Sequence, residues 1–250
     1  MQWAQRRKAG IAAGIASSIA LILVGSWFLF FYQAPSCTDG VQNGGELGID
    51  CDGECARLCT APRIDPLWTR VVRVADGVYH GVAYIRNPES GVRGTDIAYR
   101  LSLYDAGGLL VAERRGVLDL EPQVLRVLFE PSIITGSQVP ARAVLSVSGG
   151  MWERAPQSVT AVSVIPGALD ERARTLSATL VNDTPYDVRG VVANALLFDA
   201  AGTLVTASET RVPVVRARSR AEIVFTWIEP FARPIITTDV VVREDAANRN

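Results

Sequence analysis

The chain reads Leu103-Tyr104-Asp105-Ala106-Gly107-Gly108 and, further on, Leu197-Phe198-Asp199-Ala200-Ala201-Gly202. In each stretch two apolar residues precede an aspartate, and a glycine follows within three positions. The aspartate side chain can bond to nearby backbone groups, and glycine permits the positive φ that a tight hairpin needs. We therefore predict that Asp105 and Asp199 are turn residues with a structural role.

Short runs that alternate apolar and polar residues surround both turns and predict strands. The predicted strands are 71–74, 82–85, 97–104, 124–129 and 143–147, and then 159–165, 176–181, 191–198, 221–227 and 238–242. Asn87 aligns with Asn182 at an offset of 95 residues, and Asp105 aligns with Asp199 at an offset of 94. This repetition predicts a mainly β chain with two tandem Ig-like β-sandwiches at 65–149 and 157–243, joined by a linker and followed by a flexible tail at 244–250.

The repeated stretch resembles the FxLYD family of small extracytoplasmic β-sandwich domains, whose name abbreviates four residues of one strand and turn. Other positions that fit the family pattern are Asn87, Asn182, Phe129 and Phe225. The first motif position departs in both copies, as Leu101 and Ala195, and Phe198 replaces the tyrosine in the second copy. The resemblance covers most of residues 65–245, and the family is not one known for catalysis.

An uncharged, mostly apolar run extends from Ile11 to Tyr32, after the basic residues Arg6, Arg7 and Lys8. As an α-helix it would reach roughly 33 Å, enough to cross a hydrocarbon core of about 30 Å. The positive-inside rule places residues 1–10 in the cytoplasm and residues 33–250 outside it. We therefore predict a single-pass anchor in the cell membrane, with the lipid bilayer as a partner through residues 11–32.

Two alternatives would remove this segment from the mature chain. A secretory signal peptide has an apolar region of only about 7 to 15 residues, and Gln33-Ala34-Pro35-Ser36 is a poor cleavage site. A lipoprotein would be cleaved before Cys37 and acylated there, which would leave three cysteines without an even pairing. The uncleaved anchor is the interpretation that the sequence favours.

Residues 33–61 contain all four cysteines, Cys37, Cys51, Cys55 and Cys59. Outside the cytoplasm disulfides persist, so two bridges are expected, and sequence alone leaves three connectivities open. The segment has few large apolar residues and cannot hold its shape by burial. Each bridge would stabilise it by roughly 2–4 kcal/mol.

Acids and glycines alternate between these cysteines. The oxygen-bearing candidates for a cation site are Asp39, Asn43, Glu46, Asp50 and Asp52. Ca²⁺ requires about six to eight oxygens at about 2.4 Å, although the spacing here does not match an EF-hand loop. The other interpretation is a solvated, disulfide-stapled turn whose acids cap turns. Zinc bound by four thiolates is disfavoured, because paired C-x-x-C knuckles are missing and the compartment is oxidising.

Residues 37–55 resemble a short cysteine-rich motif that recurs in exported bacterial multidomain proteins. Its recurrent elements are Cys-x-Asp-Gly, then Asn, then Glu, then Asp-Cys-Gly-Gly-x-Cys. Asp52 stands where that pattern usually has glycine. The resemblance implies an exported spacer and carries no activity with it.

The remaining sequence excludes several classes of function. His80 is the only histidine, which removes histidine-dependent triads and multi-histidine metal sites from a monomer, and we expect it on the surface. The formal net charge is −1, without the clustered basic residues of a nucleic-acid-binding protein. Nucleophile-elbow and phosphate-loop motifs are also missing.

We therefore predict a non-enzymatic, membrane-anchored extracytoplasmic protein that presents two sandwiches to an envelope protein or polymer. One alternative is a Ca²⁺-dependent structural or adhesive envelope module organised by the cysteine loop. Another is a subunit of a larger secretion or pilus assembly.

Overall fold

The computed structural model describes residues 2–31, 34–157 and 160–244. The chain divides into two compact units, Met1–Cys55 and Ala56–Asn250. The first unit contains α1 (Gln2–Phe31) and most of the cysteine loop. The strands of the second unit are β1 (Pro66–Ala75), β2 (Val78–Arg86), β3 (Val92–Tyr104), β4 (Leu110–Leu120), β5 (Leu125–Ile134), β6 (Arg142–Ser148), β7 (Met151–Arg154), β8 (Val162–Asp170), β9 (Thr175–Asn182), β10 (Val188–Phe198), β11 (Leu204–Val215), β12 (Ser219–Thr226) and β13 (Thr237–Glu244).

The helix α1 includes the stretch Arg6–Phe31, which is long and apolar enough to cross a membrane. A signal sequence near an N-terminus can pass the same test of length and composition. Tyr32 and Gln33, the end of the predicted span and the start of the predicted loop, lie outside the described residues. The single apolar N-terminal helix is thus present.

The first sandwich pairs a sheet of order β1-β2-β5 with a sheet of order β4-β3-β6, and β7 also pairs with β3. Its core contains Ile85, Leu101, Leu103 and Ile133, none of which has measurable exposure. These side chains come from both sheets, because alternate residues of each strand point to the same face. Burial of this apolar layer holds the two sheets together.

The second sandwich repeats that topology, with sheets of order β12-β9-β8 and β11-β10-β13. Strands β8 to β13 therefore correspond to β1 to β6 in sequence order. Phe225 and Leu197 are fully buried in its core. The mainly β architecture with two sandwiches after one helix confirms the predicted fold class.

Several elements differ from those predicted. Residues 151–154, interpreted as linker, form β7 instead, because Trp152 is buried in the first sandwich with 3% exposure. The second sandwich begins its first strand at Val162, and Val159, the predicted start, lies outside the described residues. Glu244, predicted to begin the tail, is the last residue of β13, and its Oε1 accepts the Ala161 N–H at 2.6 Å.

Candidate functional site

The two turn aspartates have the structural role that the sequence predicted. Asp105 Oδ1 accepts the Leu109 N–H at 2.8 Å. Asp199 Oδ1 accepts the N–H groups of Ala201 at 3.0 Å and Thr203 at 2.9 Å. The Thr203 N–H is the largest of the effects that lower the pKa of Asp199. Both carboxylates are therefore engaged in closing a hairpin.

The paired asparagines are also structural. Asn182 is fully buried, and its Nδ2 lies within 3.0 Å of the carbonyl oxygens of Tyr186, Val215 and Arg216. Asn87 is equally buried, and its amide contacts Val92 O and Glu89 N. Each amide thus fixes the loop that leads from one sheet to the other.

The cysteine loop is cross-linked as expected. Cys37 and Cys55 form a disulfide with a Cα–Cα distance of 5.6 Å. Cys51 and Cys59 are disulfide-bonded as well, and the described residues contain no free cysteine. The loop backbone also requires glycine at one point, because a Cβ on Gly53 would lie 1.9 Å from the Gly45 carbonyl oxygen. Asp52 has φ +55°, a conformation that favours glycine and is tolerated by aspartate.

The carboxylates of this loop accept hydrogen bonds from its own backbone. Asp39 accepts the N–H groups of Ser36 at 3.1 Å and Val41 at 2.9 Å, and its Oδ2 accepts the Asn43 side-chain amide at 3.0 Å. The Asn43 bond is the largest of the effects that lower the pKa of Asp39. Both oxygens of Asp50 lie 3.1 Å from the Gly40 N atom. These contacts are those of acids that cap turns.

Glu46 links the acidic part of the loop to the disulfide. Its Oε2 accepts the Asp50 N–H at 3.0 Å, and its Oε1 lies 3.2 Å from Cys55 Sγ. That second contact is not a hydrogen bond, since a disulfide sulfur carries no proton. Among the described residues, the only set of three His, Cys, Asp or Glu ligand atoms within 4.8 Å is that of Cys37, Glu46 and Cys55. Because the two sulfurs are bonded to each other, this set offers one carboxylate to a metal.

The carboxylates of the predicted calcium ligands therefore do not converge on one point. Asp39 and Asn43 are in contact, and Glu46 meets Asp50 through a backbone N–H. The side-chain oxygen Oδ1 of Asn43 is buried and has no hydrogen-bond partner among the described residues. Calcium binding stays a prediction, and Asn43 Oδ1 is a buried oxygen of the loop that has capacity for a ligand.

A third apolar core lies between the two sandwiches. We call it the inter-sandwich core. Its buried members are Val72, Val82, Tyr84 and Val127 of the first sandwich and Leu196, Leu204 and Ala207 of the second. Trp68 packs against Tyr84 at 4.6 Å between ring centroids and against Phe198 at 6.4 Å. The outer face of sheet β1-β2-β5 is thereby packed on the outer face of sheet β11-β10-β13.

Polar contacts accompany this core. The Tyr84 hydroxyl donates a hydrogen bond to the Asp239 carboxylate on β13. Burial is the largest cause that raises the pKa of Tyr84, and this hydrogen bond is the second largest. Arg73 on β1 pairs with Glu229 of the second sandwich at 3.0 Å. These contacts give the interface one specific register, because hydrogen-bonded groups have to meet across it.

Sequence reasoning missed this interface, although a signal for it was present. Strand β2 has five consecutive buried residues ending at Ile85, and β10 has seven ending at Leu197. A strand that is apolar on both faces is buried on both faces. The alternating strand β12, by contrast, has one buried and one exposed face.

His80 is more enclosed than the sequence suggested. Its Nδ1 accepts the Ser132 N–H at 3.0 Å, and its ring lies 4.9 Å from that of Phe129. Burial lowers the pKa of His80 below its ordinary value of 6.5. Ser132 has φ +52° and lies beside an irregularity in the β2–β5 register. The imidazole therefore accepts a backbone N–H at a point where the regular pairing of the two strands is interrupted.

Comparison with known proteins identifies no family. No family model matches the chain, and no curated protein matches it. Among solved structures it is similar to a Bacteroides uniformis beta-glucuronidase, at TM-score 0.25 and 13% identity over 69% of this chain and 25% of that one. It is also similar to red sea bream transglutaminase, at TM-score 0.25 and 14% identity over 74% of this chain and 30% of that one. This chain thus spans less than a third of either protein's length.

Proposed function

We propose that this protein is a single-pass, membrane-anchored, non-catalytic protein whose two FxLYD-like sandwiches form one rigid platform outside the cytoplasm. The platform would bind a protein or polymer of the cell envelope. The observation that carries this proposal is the inter-sandwich core. Two flexibly linked domains would expose apolar side chains such as Val82 and Leu196, whereas here these are 0% exposed.

A rigid pair of sandwiches suits binding better than independent modules do. Surfaces on both sandwiches then keep a fixed spacing, so a partner that contacts both incurs no cost for ordering them. The helix that precedes them supports attachment to a bilayer, because Arg6–Phe31 has the required length and composition. The disulfide-bonded cysteines support an oxidising compartment.

The mass of the mature chain tests the anchor. We expect the intact mass of protein from the membrane fraction to include residues 1–33, since the apolar run is longer than a signal peptide's. Fusion of a reporter that is active only outside the cytoplasm should give activity when it follows residue 244. A mature chain that starts near residue 34 and is recovered in the soluble fraction would contradict the proposal.

Site-specific photocrosslinking in cells tests the binding role. A crosslinking residue at exposed Val224 or Ser177 samples the outer face of the second sandwich, and one at exposed Arg100 samples that of the first. We expect discrete adducts of one size from at least one face. Adducts that are equally abundant from all positions, or none from any, would contradict a specific partner.

The calcium-dependent module is a second candidate, favoured by the buried and unpartnered Asn43 Oδ1 beside the acidic Asp39. Binding at 100 times the Kd would raise stability by about 2.7 kcal/mol. Titration calorimetry of the oxidised protein with Ca²⁺ should then show saturable heat that is lost in Asp39→Asn. No heat up to millimolar Ca²⁺ would leave the loop as a disulfide-stapled spacer.

A further inference from the structure

Strands β6 and β7 follow each other along one edge of the first sandwich. Both pair with β3, β7 along residues 92–95 and β6 along residues 98–104. On the side away from β3, each strand has backbone N–H and C=O groups that point outward. Such an edge accepts a further strand, because an extended chain matches the spacing of these groups.

The chain already adds a short strand to the β7 half of this edge. Residues 56–58 pair antiparallel with β7 through two backbone hydrogen bonds of 2.7 Å. The segment then leaves the edge, and Ile64 enters the core of the first sandwich before β1 begins. In the part of the chain that the structure describes, no backbone hydrogen bond joins residues 59–66 to β6. The β6 half of the edge is therefore open.

A groove of about 410 Å³ runs beside the open half of the edge. Residues 61–66 form one side of it, and β6 contributes Leu145 and Val147 to the other. A strand rises about 3.4 Å per residue, so the seven residues of β6 give this edge a length of roughly 24 Å. The groove thus has the location and the length that an added strand requires.

The other outer strands have features that oppose strand addition. Prolines lie within β5, β8 and β11, and β1 begins with one. Strands β4, β12 and β13 each contain at least two charged residues. Proline lacks the N–H that pairing needs, and charges on an edge disfavour a second strand. Strand β6, by contrast, has no proline, a single charge at its first residue, Arg142, and an uninterrupted register with β3.

We propose that β6 binds an extended segment of a partner protein as an added antiparallel strand, in line with residues 56–58. Side chains on one face of the segment enter the groove beside Leu145 and Val147, and those on the other face lie beside Val144 and Ser146. Because these neighbours are uncharged, they favour an uncharged segment rich in β-branched residues. The proposal deepens the platform function and rests on it for the choice of a protein as the partner.

A second copy of this chain fits the edge less well. Leu145 of its own β6 is already buried, at 6% exposure, in the core of its own sandwich. Pairing of two β6 strands would therefore leave the groove beside each of them empty. An extended segment has side chains free to fill it.

Amide hydrogen exchange of the full chain in an uncharged detergent tests this site. The probe is the peptide acetyl-Ser-Gly-Thr-Val-Thr-Val-Thr-Val-Thr-Gly-Ser-amide, and the control peptide has proline in place of the three valines. We expect the probe to slow exchange of every second amide of β6 at least about tenfold, because those N–H groups gain acceptors, and the control to have no effect. Unchanged exchange in β6 at millimolar probe, or slowing confined to another edge strand, would overturn the proposal.

A charge placed on the edge locates the peptide. We expect Ser146→Lys, at an exposed position of β6, to weaken binding of the probe at least about fivefold in titration calorimetry. Ser163→Lys adds the same charge at an exposed position of the edge strand β8 and should leave the affinity unchanged. Equal affinities of the two variants would overturn the site.

The same exchange experiment without peptide tests the choice of occupant. Slowing in β6 that grows with protein concentration would place a second copy on the edge and would overturn the assignment to a partner protein. We expect no such dependence on concentration. Failure of this proposal leaves the anchored platform standing, because mature mass and topology are measured without the peptide.

Discussion

The two sandwiches share one topology but bury opposite sheets against each other. In the first, Val82 and Tyr84 on β2 face Phe129 and Val127 on β5 and form the docking surface. The register of the second copy places Ser177, Thr179, Val224 and Glu222 at those same four positions. Three of those four side chains are exposed, and Thr179 is half-buried.

The other pair of equivalent sheets shows the reverse. Leu196 and Ala207 pair across β10 and β11 within the inter-sandwich core. The same positions in the first copy hold Ser102 and Glu113, and Glu113 pairs there with Arg115 at 2.6 Å. A contact between two different faces of repeated domains can be made again by each further copy, which builds an open array. The residues at these equivalent positions of the two free faces are polar, except for Val224.

The sharpest test of this comparison is a charge placed on each equivalent face. Val82→Asp buries an unpaired carboxylate, and we expect it to lower the free energy of unfolding by at least about 3 kcal/mol. Val224→Asp, at a 53% exposed position of the equivalent face, should change it by less than about 0.5 kcal/mol. Denaturant unfolding followed by tryptophan fluorescence measures both. Equal effects would mean that the two faces do not differ as described.

A second test compares the asparagines that occupy equivalent loops. Asn182 makes more hydrogen bonds than Asn87, and both are fully buried. Each buried group left without a partner costs about 1–3 kcal/mol. We expect Asn182→Ala to cost about 3 kcal/mol and Asn87→Ala about 2 kcal/mol on that basis. A larger loss of unfolding free energy in Asn87→Ala than in Asn182→Ala would contradict this argument from the number of hydrogen bonds.

A third test removes one hydroxyl from the interface. Tyr84→Phe keeps the aromatic packing on Trp68 but leaves the Asp239 carboxylate without its donor. We expect a loss of about 1–2 kcal/mol, and no change for Tyr186→Phe, whose side chain is 60% exposed. In Asp239→Asn the effect of Tyr84→Phe should shrink. An undiminished effect there would show that the hydroxyl acts through another group.

The smallest expected effect depends on pH. Burial holds the pKa of His80 below 6.5, so the folded state favours the neutral imidazole that accepts the Ser132 N–H. The unfolded chain binds the proton more readily, so this stability is fully present above about pH 6.5 and is lost as the pH falls through the folded pKa. His80→Gln should flatten the dependence of the unfolding temperature on pH in that window. An unchanged slope would contradict the assignment, since the chain has no other histidine.

The sequence predicted the features that depend on residues close together in the chain. Asp105 and Asp199 close hairpins as expected, and the repeat around them implied two copies of one topology, because a turn depends on residues only a few positions apart. The prediction that Trp152 belongs to a linker was wrong. Glycines 149 and 150 indicate a linker, whereas the strand that follows them forms by pairing with β3, which is distant in sequence. The inter-sandwich core was missed for a similar reason. The apolar run at Val82–Ile85 shows that β2 is buried on two faces, but only the tertiary structure shows that β10 covers it.

The central claim is that the two sandwiches move as one body, and residual dipolar couplings of the oxidised protein test it most directly. Amide couplings from the first sandwich and from the second should fit one alignment tensor of the same magnitude and orientation. The same measurement on Val82→Asp should give two different tensors. Two different tensors in the unaltered protein would contradict the account, because they would show that the inter-sandwich core does not fix the domains.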